Sequence, residues 1–114
     1  MILGIGMNGH LGFNEPGSDP DSYAHIVELD EITKKVGQKY FSQETLLTSG
    51  ITLGLRHIME SRRVILMANG VKKAEIVKQA MEGNISNHVP ASLIREHHNA
   101  AIYLDEDAAQ KLIR

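Results

Sequence analysis

The amino-acid sequence predicts an α/β fold, a mainly parallel sheet flanked by helices. Three observations carry this expectation. Strand-like and helix-like segments alternate along the chain, the order from which parallel sheets are built. Val64-Ile65-Leu66-Met67 is an unbroken apolar run, as suits a strand buried on both faces. The first apolar run is followed at once by a long stretch rich in Gly, Asn, Pro, Asp and Ser. Loops of that kind at strand ends are often functional.

Each element follows in order. Met1 to Ile5 is a short apolar run ended by glycine and reads as a buried strand. Residues 6 to 22 form the loop. Ala24 to Leu29, with Ile26, Val27 and Leu29 apolar, reads as a second strand, and Asp30 can cap a helix over 31 to 40. Glu44 to Glu60 reads as largely helical, because Leu46, Leu47, Ile51, Leu55, Ile58 and Met59 recur at roughly helical spacing. Gly50 and Gly54 inside it mark close packing or a break. Arg63 to Ala68 is a strand ended by Asn69-Gly70. Val71 to Glu82 is an amphipathic helix with Ala74, Val77, Ala80 and Met81 inward. A short helix over Ala91 to Glu96, a strand over Ala100 to Leu104 and a helix from Glu106 to Ile113 capped by Asp105 complete the chain.

About four strands result, whereas doubly wound sheets commonly have five or six. The chain also begins on what reads as a central strand. Residues 1 to 114 are therefore expected to be a single domain, or the C-terminal part of a larger Rossmann-like doubly wound domain. The alternative is a short protein that completes its sheet by assembly. A homo-oligomer covering the open sheet edge is expected, since a free edge is a pairing hazard.

Composition narrows the function classes. The 114 residues are 42% hydrophobic and 23% charged, with net charge -2. No basic excess points to nucleic acid or an anionic membrane. Aromatic residues make up 4% and Trp is absent, which argues against stacking platforms for bases. Without cysteine there is no disulfide framework and no thiolate metal site, in keeping with a cytoplasmic protein. No apolar run approaches the ~18 residues of a membrane span. The six histidines show no convincing zinc-ligand spacing, and His97-His98 are expected to be exposed.

The chemistry concentrates in the loop Gly4-Ile5-Gly6-Met7-Asn8-Gly9-His10-Leu11-Gly12-Phe13-Asn14-Glu15-Pro16. Its glycines let the backbone turn and approach a ligand. It leaves the carboxyl end of a strand, where α/β sheets place ligands. His10 can exchange a proton near neutral pH, Glu15 can orient it, and Asn8 adds an uncharged amide. Spacing alone does not separate this from a glycine-rich turn with a surface histidine and a solvated glutamate. Gly4, Gly6 and Gly9 match G-x-G-x-x-G, but no helix pattern follows the third glycine, so the loop fails as a dinucleotide fingerprint.

The same run resembles the signature of the glucosamine-6-phosphate deaminase family, G-x-G-x-[DN]-G-H-[IL]-x-F-N-E-P. The resemblance continues through Lys39-Tyr40-Phe41, Gly70-Val71-Lys72-Lys73-Ala74, Glu82-Gly83-Asn84-Ile85-Ser86-Asn87-His88 and Asp105-Glu106-Asp107. It implies that His10 passes a proton to the ring oxygen of an amino-sugar phosphate and opens the pyranose, and that Glu15 holds His10 in position. Asn8 stands where the glucosamine enzymes usually carry aspartate. An amide can orient a histidine but cannot place a negative charge beside it, a departure that favours the galactosamine branch. Lys73 is implied in phosphate binding, at the start of a helix whose free N–H groups also favour a dianion. Lys39 aligns with a phosphate-binding arginine, keeping the charge but losing the bidentate fork. Val27, where regulated enzymes carry a basic residue, implies no activation by an amino-sugar phosphate.

The implied reaction is aldose–ketose isomerisation with loss of ammonia, giving a ketose 6-phosphate with no organic cofactor and no metal. The isomerising base and a first phosphate loop belong to the family's N-terminal half and are assigned to no residue of this chain, so the isolated polypeptide is expected to be inactive. Alternatives are a 6-phosphogluconolactonase-like hydrolase, against which Gly12-Phe13-Asn14-Glu15-Pro16 argues, and a non-catalytic sugar-phosphate-sensing domain, against which retention of His10 and Glu15 argues.

Overall fold

The computed structural model describes residues 1–113. The apolar run 64–67 becomes strand β4 (Val64–Ala68), the middle strand of a three-stranded parallel sheet. β1 (Ile2–Leu3) lies on one side, with Ile2 opposite Ile65, and β5 (Ala100–Leu104) on the other, with Val64 opposite Ala100. Val64 and Leu66 are fully buried on one face of β4, whereas Ile65 is half-buried and Met67 51% exposed on the other, so the expected burial on both faces is not met. Helix α3 (Ala74–Glu82) buries Ala74, Ile76, Val77 and Ala80, and the core continues through Ile5, Leu11, Leu55, Ile58, Ala91 and Ile94. Met81 packs on this core only partly buried. The expected α/β class is the one observed.

The remaining strands form a separate unit. β2 (His25–Glu28) pairs antiparallel with β3 (Ser49–Thr52), Val27 lying opposite Gly50. Two expectations are corrected here. The second strand is not part of the parallel sheet, and the helix expected over 44 to 60 is confined to α2 (Leu55–Glu60). The spacing of Leu46 and Ile51 imitated a helix face, yet both are exposed, Ile51 at 75%. The glycines decide the matter. A Cβ on Gly50 would meet the Phe13 ring at 2.6 Å, and one on Gly54 would meet the Ser22 carbonyl oxygen at 2.0 Å. Gly54 is extended and caps α2, with its N–H donating to Nδ1 of His57.

Other boundaries shorten for local reasons. Asp30 caps α1 (Glu31–Gly37) by accepting the Thr33 N–H at 2.6 Å, and a 3₁₀ turn over Gln38–Tyr40 follows. Val71–Lys73 is a 3₁₀ turn that leads into α3, and the segment expected as a short helix is 3₁₀ over Pro90–Glu96. α4 (Glu106–Ala109) ends earlier than expected. Asp105 does more than cap it. Its carboxylate accepts the N–H of Ala108 at 2.8 Å and that of Gly70 at 3.1 Å, binding the end of β4 to the end of β5. His97 is 8% exposed rather than exposed as expected, with Nε2–H donating to the Ser61 carbonyl and Nδ1 accepting the Asn99 N–H. Among the described residues no helix is long and apolar enough to cross a membrane.

Leu66 is 2% exposed at the centre of the sheet. Leu66→Ala is expected to destabilise the fold by ~2–5 kcal/mol, from lost burial plus the cavity left behind. Chemical denaturation of the two proteins measures this directly.

Candidate active site

The glycine-rich segment leaves the carboxyl end of β1 and folds back on itself. The Gly9 N–H donates to the Gly6 carbonyl at 2.9 Å, and the Gly6 N–H to the His10 carbonyl at 3.0 Å. Gly9 has φ +88°, a left-handed conformation that favours glycine. Leu11 and Asn14 are buried and anchor the loop. Asn14 Nδ2 donates to the carbonyls of Leu11 and Leu53, both at 2.8 Å, and the Phe13 N–H donates to Thr52 Oγ1 at 3.1 Å. The unforeseen strand β3 and the residue after it therefore pin the loop from one side. Asn87 pins it from the other, accepting the Gly17 N–H at 2.8 Å and donating to the Ser18 carbonyl at 3.1 Å.

This anchoring places His10 and Asn8 in the wall of a cavity of about 690 Å³, together with Lys73, Asp30, Thr33 and Tyr40. His10 Nδ1 lies 2.7 Å from the Gly12 carbonyl oxygen. A carbonyl only accepts, so Nδ1 carries the proton and Nε2 is left for a ligand. Gly6 is packed against the ring: a Cβ there would lie 1.9 Å from His10 Cδ2 and 2.0 Å from Nε2.

The Glu15 carboxylate makes no hydrogen bond to the imidazole. Its Oε2 accepts from Asn8 Nδ2 at 2.8 Å and its Oε1 from Thr33 Oγ1 at 3.1 Å. Asn8 Oδ1 in turn accepts the His10 backbone N–H at 3.1 Å. Glu15 is thus linked to His10 through Asn8, which meets the His10 backbone N–H rather than the ring. Thr33, which the sequence gives no reason to single out, completes this relay from α1.

Lys73 reaches across the end of the sheet, its Nζ donating to the Ile5 carbonyl at 2.5 Å. Burial, with the positive charge of Lys39 adding to it, holds the Lys73 ammonium below the ordinary lysine range. Lys39 is exposed, does not line the cavity, and lies 5.1 Å from the centroid of the Tyr40 ring. The two cations are thus close enough to feel each other, with only Lys73 in the wall. Asp30, read from sequence as a cap alone, is the one carboxylate in that wall among the described residues. The Thr33 N–H chiefly holds it below the usual carboxylate range, and the nearby His10 charge contributes. No group of three or more His, Asp or Glu is placed to hold a metal ion among the described residues.

A parallel sheet with a histidine-bearing loop and a lysine-lined cavity at its carboxyl end defines an α/β protein with a cavity where such sheets commonly place ligands. The chain belongs to the family of glucosamine-6-phosphate isomerases and 6-phosphogluconolactonases, whose pattern matches residues 1–103. It is 43% identical over 113 residues to the glucosamine-6-phosphate deaminase of Enterococcus faecalis, covering 98% of this chain and 48% of that one. It is 46% identical over 112 residues to the Staphylococcus aureus deaminase, covering 97% and 44%. The solved structure of a monomeric glucosamine-6-phosphate deaminase superposes with TM-score 0.90 at 40% identity, over 96% of this chain and 46% of that chain. The 6-phosphogluconolactonase of Trypanosoma cruzi shares the fold, at TM-score 0.71 and 19% identity over 99% of this chain and 40% of that one. The chain spans about half the length of the curated relatives it matches.

Gly6→Ala is expected to push the imidazole off the Gly12 carbonyl and to cost ~1–3 kcal/mol of stability, the usual range for a forced overpacking. The His10 ring resonances by NMR report the first effect and denaturation the second. Unmoved resonances would show that the ring does not depend on this packing.

Proposed function

We propose that this chain carries the ring-opening and phosphate-holding machinery of an amino-sugar 6-phosphate deaminase. The observation that carries the reading is His10, in the cavity wall with Nδ1 committed to Gly12 and Nε2 free. In this scheme protonated His10 passes its Nε2 proton to the ring oxygen while solvent water takes the proton of the C1 hydroxyl, so the ring C1–O bond breaks and an aldehyde forms. General acid–base help of this kind contributes about 10²–10⁴-fold. Lys73 holds the 6-phosphate, with Lys39 adding long-range charge, so that binding energy remote from C1 orients the reacting end. A proton then moves from C2 to C1 through an enolamine, water replaces the nitrogen, and ammonia leaves with a ketose 6-phosphate. The base for that second stage is assigned to no acid of this chain.

The deaminase relatives support glucosamine 6-phosphate as substrate, while Asn8 in place of an aspartate supports the galactosamine epimer. Comparing the two C4 epimers decides between them. The lactonase reading has the shared fold and the joint family pattern behind it, and the run Gly12-Phe13-Asn14-Glu15-Pro16 against it. This reading places the protein in the cytoplasm, since phosphorylated sugars do not cross membranes unaided. A homo-oligomer would cover the free edge of β1, and sizing in solution tests it.

The half-reaction is open to measurement separately. The chain is expected to accelerate exchange between the α and β anomers of glucosamine or galactosamine 6-phosphate, seen by NMR, without releasing ammonia at ordinary enzyme rates. His10→Asn is expected to lower that acceleration by about 10²-fold or more. Lys73→Met is expected to raise KM by ~tenfold or more, the value of a charge-assisted hydrogen bond. A wild-type chain that leaves anomer exchange at its uncatalysed rate overturns the reading. Rapid ammonia release by the chain alone would show that it holds the base after all.

A further inference from the structure

We infer that Thr33 is a positioning residue that sets His10 through Glu15 and Asn8. The inference rests on the reading of His10 as the ring-opening group. The relay is built from hydrogen bonds whose directions are fixed by chemistry. An ionised carboxylate can only accept, so Thr33 Oγ1–H donates to Glu15 Oε1 and Asn8 Nδ2–H donates to Oε2. With its amide nitrogen committed to the carboxylate, Asn8 has its oxygen turned to the His10 backbone N–H. Glu15 thereby decides which way Asn8 faces, and Thr33 decides where the Glu15 carboxylate lies. The Glu15 backbone is held separately, its carbonyl accepting from Ser18 N–H and Oγ at 3.0 and 2.6 Å. Thr33 therefore controls the side chain without being needed to hold the loop.

The place of Thr33 in the fold gives this bond a second consequence. Among the described residues it is the only hydrogen bond between α1 and residues 4–18. α1 forms one wall of the cavity through Ile32, Thr33, Val36 and Gly37, and the histidine loop forms another. The Thr33–Glu15 bond ties the two walls together, so a substrate seated between them meets His10 in a set position. Removing the hydroxyl leaves Oε1 without its donor. The carboxylate is then free to turn, and Asn8 loses the constraint that keeps its oxygen on the His10 N–H.

The test uses Thr33→Val, which keeps the β-branch and drops the hydroxyl, Thr33→Ser, which keeps the hydroxyl, Glu15→Ala, and the double variant Glu15→Ala/Thr33→Val. Thr33→Ala serves as a second hydroxyl-free variant if valine is not accommodated. Two quantities are read: the Asn8 side-chain amide resonances, and the anomer-exchange turnover with its KM. Thr33→Val is expected to shift the Asn8 amide protons and to lower turnover by ~tenfold, the scale of a hydrogen bond to a charged group, with KM within about twofold. Thr33→Ser is expected to restore both. Adding Thr33→Val to Glu15→Ala is expected to change neither, because residues acting through one partner are not additive. Unmoved Asn8 resonances, unchanged turnover, or an undiminished Thr33→Val effect in the Glu15→Ala background each overturn the inference. If wild type shows no anomer exchange, the ring-opening reading fails and takes the catalytic part of the inference with it. If wild type exchanges anomers and the Thr33 variants match it, Thr33 alone is the error.

Discussion

The missing side chain at Gly6 decides where the imidazole of His10 lies. No Cβ could occupy the space at Gly6 while the ring stays where it is, since ring atoms would be 1.9–2.0 Å away. The backbone between them is closed by the Gly6 N–H on the His10 carbonyl and the Gly9 N–H on the Gly6 carbonyl. The ring is therefore trapped between its own loop and the Gly12 carbonyl at 2.7 Å. A side chain held in this way gives up little freedom when a ligand arrives, which is how orientation lowers a barrier in the proposed role of His10. The rest of the chain keeps the loop in place. β3 and Leu53 hold it from the hairpin side, Asn87 from the segment before the last 3₁₀ turn, and buried Leu11 and Asn14 from the core.

The loop was legible in the sequence because its constraints are local. Glycine spacing, a histidine between glycines and the Asn14-Glu15-Pro16 end are all written within a dozen or so residues. The parallel strands β4 and β5 were legible for a similar reason: each is a continuous apolar run, although only β4 buries a face, through Val64 and Leu66. β3 was not. Periodicity counts apolar residues without knowing whether they are buried, and Leu46 and Ile51 are exposed. What excludes a helix there is tertiary, namely the Phe13 ring over Gly50 and the Ser22 carbonyl over Gly54.

The same division separates the site residues. Spacing brings Glu15 into the neighbourhood of His10, but it cannot say which atoms meet. The structure sends the carboxylate to Asn8 and Thr33, and Thr33 lies on another element, beyond any motif. Asp30 was visible as a cap because capping is a sequence-local act. Its presence in the cavity wall depends on how α1 packs across the loop. Asp105 is a parallel case, a visible cap whose bond to Gly70 couples two strand ends.

Lys73 shows how the fold and the site trade against each other. Burial and Lys39 both weaken its hold on a proton relative to an unfolded lysine. The sign is unfavourable for the fold: below its folded-state range the charged group is penalised, and stability rises as pH climbs from that range toward the ordinary lysine value. A partly exposed ammonium feels this only in part, because solvent screens it. The penalty nonetheless has a direction that suits the proposed ligand. A phosphate dianion beside Lys73 would reverse both causes, countering the charge of Lys39 and replacing lost solvation with a charge-assisted hydrogen bond. Such a lysine gains more from an anion than a fully solvated one would, since the ion relieves a repulsion already present. In the proposed reading Lys73 and the imidazole are therefore complementary: one would hold the distant end of the substrate, and the other would need the near end held still.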